Sequence, residues 1–164
     1  MPSFPARRFA NAIGFLSCAA LIAYALFAQY VQGLDPCPLC LFQRFAVIGL
    51  GIVFLIAALH DPDRFGARVY GVLLGCFAIC GMGIAARHLW IQSLPPGSVE
   101  ACGPSLSYLF DIMSVFDVIK KVFSGSGECQ HVDELLGISW PWWTAAAFVI
   151  LGAWGVGMNW LLRR

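Results

Sequence analysis

Asp35-Pro36-Cys37-Pro38-Leu39-Cys40-Leu41-Phe42-Gln43-Arg44 separates two long apolar runs, one ending near Val31 and the next beginning at Leu41. Two prolines and an aspartate break the hydrophobic pattern for only a few residues. On either side the apolar stretch is close to the roughly 20 residues that a helix needs to cross a bilayer core. The decapeptide is therefore a turn at a membrane surface, and the chain around it reads as all-α. Working outward gives four spans: about 13–31, 41–59, 69–89 and 142–162. The connector 90–141 is too polar to span and too long for a plain turn. We read residues 1–164 as one integral membrane domain, a four-helix transmembrane bundle whose long outer loop carries a short interfacial helix.

Composition agrees. Of 164 residues, 60% are hydrophobic and only 12% charged, well outside the range of an ordinary soluble domain. A net charge of +1 without a dense basic tract gives no support for nucleic-acid binding. Arg7 and Arg8 precede the first span, but that apolar run exceeds the roughly 7–15 residues of a signal-peptide core, so it is kept as a span. Arg7, Arg8, Arg64, Arg68, Arg163 and Arg164 flank the termini and the connector 60–68, whereas the first opposite connector contributes only Arg44. By the positive-inside rule both termini face the cytosol. Parity then brings Cys37, Cys40, Cys102 and Cys129 to the outer, oxidising face, far apart as they are in sequence.

Seven cysteines invite a reading of each. In the Cys37-x-x-Cys40 unit the first thiol sits in a turn and the second at the start of a helix, where unpaired N–H groups and the helix dipole favour a thiolate. Arg44 lies one turn beyond Cys40 and adds positive charge on that face. Cys18, in mid-span, reads as a small core residue. Cys76 and Cys80, at i and i+4 in the third span, read as packing residues, with no His or acid beside them. Gly49 and Gly51, Gly71 and Gly75, and Ala153 with Gly157 are the small residues expected at helix contacts. Arg87 and His88 close the third span, where Arg44 and His88 are expected to converge on one ligand. In the outer loop, prolines and glycines surround Cys102. Residues 107–123 form an amphipathic pattern with Leu109, Ile112, Phe116, Ile119 and Phe123 on the apolar stripe. Ser124-Gly125-Ser126-Gly127 is a hinge before Cys129. Trp140, Trp142 and Trp143 mark the outer interface.

Pro36-Cys37-Pro38-Leu39-Cys40 with Gln43-Arg44, Arg87-His88, the loop cysteines Cys102 and Cys129, and Leu135-Leu136-Gly137 before Trp140-Pro141-Trp142-Trp143 together resemble the bacterial disulfide bond formation protein B family. The likeness covers nearly the whole chain. It implies a quinone-coupled enzyme of the inner membrane that reoxidises a periplasmic, DsbA-like thiol oxidase, with ubiquinone or menaquinone as electron acceptor. It also implies residue roles. Cys102 is the sulfur attacked by the partner and Cys129 its disulfide mate. Cys37 takes electrons through a Cys37–Cys129 bridge, Cys40 is the thiolate on the quinone, and Arg44 and His88 bind the quinone. Cys18, Cys76 and Cys80 have no part in the pattern. Three rivals are weaker. A four-cysteine zinc site from Cys37, Cys40, Cys102 and Cys129 lacks tight spacing in its second pair. A vitamin K epoxide reductase-like quinone reductase would place its loop cysteines before the Cys-x-x-Cys. Attachment of c-type haem needs His where Leu41 stands.

Overall fold

A computed structural model describes residues 6–95, 98, 111, 113–124, 129 and 134–162. Four helices in it are long and apolar enough to cross a membrane: α1 (Ala6–Tyr30), α2 (Pro38–His60), α3 (Arg64–Gln92) and α5 (Trp140–Leu161). A shorter helix, α4 (Val115–Ser124), and a hairpin of β1 (Glu134–Leu135) and β2 (Ile138–Ser139) precede α5. The protein is thus a membrane protein built as a helical bundle. α1 packs on α2, α2 on α3, and α3 most extensively on α5. At 29 residues, α3 is about 44 Å long, more than the roughly 30 Å of a hydrocarbon core. The helix is therefore longer than the core alone requires, with Arg64 and Arg68 near one end and Arg87 and His88 near the other.

Lipid offers apolar side chains no gain from leaving it, so helices associate where small residues let backbones meet. On α5 those residues are Gly152 and Gly155. A methyl group on Gly152 would lie 2.6 Å from Ala78 Cβ, and one on Gly155 would lie 2.8 Å from Leu74 Cδ1. The Ala153 and Gly157 pair is not the contact: Ala153 is exposed and nothing lies within 4 Å of a methyl at Gly157. Small residues of this helix do make the contact, but at i, i+3 instead of i, i+4 and on another face, because residues 152 and 153 point about 100° apart on a helix. Gly51 and Gly71 do meet neighbours, at Cys18 Cβ and the Trp160 indole. Cys18 is buried in the central cluster with Leu50, Phe54, Leu74, Phe148 and Leu151. Cys76 and Cys80, by contrast, are exposed on the outside of α3 and pack between no helices.

Polar side chains tie the end away from Cys37. Asn11 on α1 and Asn159 on α5, both buried, exchange amide hydrogen bonds of 3.1 and 2.9 Å. Arg7, read as one of the charges flanking the first span, is 2% exposed. It donates to the Pro62 carbonyl and lies 3.7 Å from Asp61, whose positive φ of 41° ends α2. Trp140 at the other end stacks on Tyr24, and Trp142 and Trp143 stay exposed.

Ser114 starts α4: its hydroxyl accepts from the Asp117 N–H at 3.3 Å and donates to the Asp117 carboxylate at 2.6 Å. The face of α4 turned to the bundle carries Val118 and Val122, both buried against Leu39 and Ile91. Phe116, on the stripe read as the apolar side, is 76% exposed and left for the interface. Leu109, Ile112 and the 125–127 part of the hinge lie outside the described residues, as do Arg163 and Arg164. The hairpin turns at Leu136 and Gly137, both with positive φ, as a two-residue connection of this hand requires.

Candidate functional site

Pro38 occupies the first turn of α2, where a missing N–H costs nothing, and Cys37 is the N-cap. The Cys40 N–H donates to Cys37 Sγ at 3.3 Å. The free donor of the helix start thus serves the first sulfur, not the second. The two sulfurs lie 3.0 Å apart. His88 arrives from the last turns of α3, 2% exposed, with Nε2 3.7 Å from Cys37 Sγ and Nδ1 3.9 Å from Cys40 Sγ. Its imidazole spans the pair.

Cys129, 1% exposed, is buried in the cluster that holds Cys37, Leu39, Ile91, Val118 and Val122, with Cys40 packed against it. A residue from the long connector is therefore inserted beside the Cys-x-x-Cys unit, under the cover of α4. Cys102 lies outside the described residues.

Among the described residues, Arg44 and His88 share no hydrogen-bond partner. The Arg44 guanidinium donates to Gln29 Oε1 at 2.5 Å and to the Ala25 carbonyl at 3.1 Å, both on α1. Arg44 is thus held on the α1 side of α2, and His88 comes from α3. Gln43, one turn deeper than Cys40, is 4% exposed; its Oε1 accepts from Thr144 on α5 at 3.0 Å. Its Nε2 is buried and has no hydrogen-bond partner among the described residues. A buried donor left open is costly unless something accepts from it. Gln29 and Thr144 escaped sequence reading, and Gln43 was quoted only as part of a motif. A glutamine in the last turns of an apolar helix was a signal of a kind, since polar groups at that depth pair with something.

A helical membrane bundle that gathers three thiols and an imidazole at its mouth belongs to the class of membrane thiol–disulfide oxidoreductases. The family model described as "Disulfide bond formation protein DsbB" matches residues 7–158, and the chain belongs to that family. It is 47% identical over 154 residues to a disulfide bond formation protein B of Xanthomonas oryzae pv. oryzae, covering 93% of this chain and 90% of that protein. The namesake from Saccharophagus degradans is 47% identical over 146 residues, 88% of each chain. That from Nitrosococcus oceani is 45% identical over 141 residues, 85% of this chain and 83% of the relative.

Proposed function

We propose that the chain reoxidises a periplasmic, DsbA-like dithiol oxidase and delivers the electrons to ubiquinone or menaquinone in the bacterial inner membrane. The observation that carries this reading is Cys129 buried beside Cys37. A partner thiolate attacks Cys102 Sγ, breaks the Cys102–Cys129 disulfide and leaves Cys129 as the thiolate. Cys129 attacks Cys37 Sγ, forms Cys37–Cys129 and releases Cys40. The partner's second thiol then resolves its mixed disulfide with Cys102. Cys102 closes again on Cys129, leaving Cys37 and Cys40 both reduced.

Cys37 and Cys40 close again as a disulfide by giving up two electrons and two protons, for which a quinone, when bound, would be the acceptor. The residues near Cys40 fit such a group. Gln43 Nε2 is an open donor one turn below, His88 lies on both sulfurs, and the Arg44 guanidinium, clamped by Gln29, supplies fixed positive charge where negative charge develops. The arginine distribution supports both termini in the cytosol and the active cysteines in the periplasm.

Replacement of Cys102 by alanine tests the order. Partner oxidation is lost in that variant, while bound quinone is still reduced by an added small dithiol. Full turnover with the partner would refute the relay.

A further inference from the structure

The metal-ligating atoms of Cys37, Cys40 and His88 all lie within 4.8 Å of one another. The geometry points to a redox-gated metal site: when Cys37 and Cys40 are both thiols, they and His88 capture a thiophilic divalent cation such as Zn2+.

A tetrahedral zinc with Zn–S of about 2.3 Å and Zn–N of about 2.0 Å needs S···S near 3.8 Å and S···N near 3.5 Å. The sulfurs are 3.0 Å apart, Nε2 is 3.7 Å from Cys37 Sγ and Nδ1 is 3.9 Å from Cys40 Sγ, and with a single ring nitrogen as ligand no edge of the triangle exceeds 4.8 Å. The sulfur edge is thus about 0.8 Å short and the longest sulfur–nitrogen edge at most about 1.3 Å long against the tetrahedral values. The Cys37 rotor at the N-cap and the tilt of the His88 ring can absorb that difference. Three protein ligands with a fourth position open is also a set that zinc accepts. Two sulfurs and one imidazole, with no oxygen donor among them, select against Mg2+ and Ca2+. The third ligand is the histidine of α3, so this is not the four-cysteine site that the spacing of Cys102 and Cys129 disfavours.

Gating follows from the sulfur chemistry. A Cys37–Cys40 disulfide offers no thiolate, so the site exists only after electrons have entered the pair. Capture displaces the two thiol protons and moves no electrons. While the cation is bound, both sulfur nucleophiles are engaged and the disulfide cannot close. Capture itself rests on geometry alone. Arrest of turnover is its consequence and rests on the function proposed above.

The experiment uses the full chain in detergent, with Cys18, Cys76, Cys80 and Cys102 replaced by serine, reduced by a phosphine that is then removed, and Zn2+ alone as probe. Equilibrium dialysis should find one Zn2+ per reduced chain and none after the Cys37–Cys40 disulfide is formed. His88→Gln should weaken binding by about tenfold or more, at least what loss of even an outer-shell partner costs. In the unsubstituted reduced chain, Zn2+ should shield Cys37 and Cys40 from alkylation and leave the exposed Cys76 and Cys80 reactive, a readout that needs no variant to fold. Equal binding by the oxidised chain, unchanged alkylation of Cys37 and Cys40, or a folded His88→Gln chain of unchanged affinity would each overturn the site. Zn2+ bound as expected while quinone reduction continued undiminished would leave the site standing and refute the relay through Cys37 and Cys40 instead.

Discussion

Arg44 has a fixed address because α1 gives it one. Gln29 and the Ala25 carbonyl hold two of its nitrogens, so the charge stands in one position instead of sampling the rotamers of a long side chain. A hydrogen bond to a charged group contributes about 1.5–3 kcal/mol, or about 10- to 100-fold in affinity. Arg44→Met is therefore expected to raise the apparent KM for quinone by roughly that factor. Gln29→Leu should do so by less, since the charge remains but its clamp is lost. Steady-state quinone reduction measures both, and an unchanged KM in Arg44→Met would remove Arg44 from the site. The Arg44 spacing to Cys40 was legible because both residues belong to one helix, whose period is known. Gln29 was not, because its meeting with Arg44 depends on how α1 is rotated and slid against α2, which no local pattern encodes.

Among the helices, the same division recurs. The existence and approximate length of the four spans followed from hydropathy, which is a property of each segment alone. Which face of a segment meets its neighbour did not, and Gly152 and Gly155 replaced Ala153 and Gly157 for that reason. A leucine at Gly152 would drive into Ala78 and should cost about 1–3 kcal/mol of stability, as overpacking does. Leucine at Gly157 meets open space and should change little. The Asn11–Asn159 pair makes a second test of element packing. Asn11→Leu removes two interhelical hydrogen bonds, each worth about 0.6 kcal/mol and at most about 1.7 in a membrane, so α1 should loosen from α5 by about 1–2 kcal/mol. Unfolding in mixed detergent micelles reads all three variants, and equal stability of the two glycine variants would contradict the assigned face. α4 carried a mixed signal. Its amphipathic pattern marked it as a surface helix, but the stripe read as apolar included Phe116, which is exposed, whereas Val118 and Val122 are buried. Only the cover needed over Cys129 and Leu39 selects the face of Val118 and Val122.

Across the whole molecule, the bundle's parity does most of the work. The start of α2, the end of α3 and the start of α5 fall at one end of the helices, with Cys37, Cys40 and His88 there and Cys129 folded over them. The buried Arg7, Asn11 and Asn159 occupy the other end. That cysteines distant in sequence share one end was legible from counting spans. That Cys129 reaches Cys37 was implied only by the family resemblance, since a long connector can rest in many places. In the proposed orientation, a membrane-impermeant thiol reagent added to intact cells labels a Leu136→Cys variant, at a position 85% exposed on the hairpin before α5, and labelling only after the inner membrane is opened would reverse the topology.

The most direct test removes the two competing sulfurs. In a Cys40→Ser, Cys102→Ser chain, mild oxidation should join Cys37 to Cys129, seen by non-reducing peptide mapping as one linked pair of peptides. Recovery of both as free thiols under conditions that oxidise the Cys37–Cys40 pair of the unsubstituted chain would contradict the electron path.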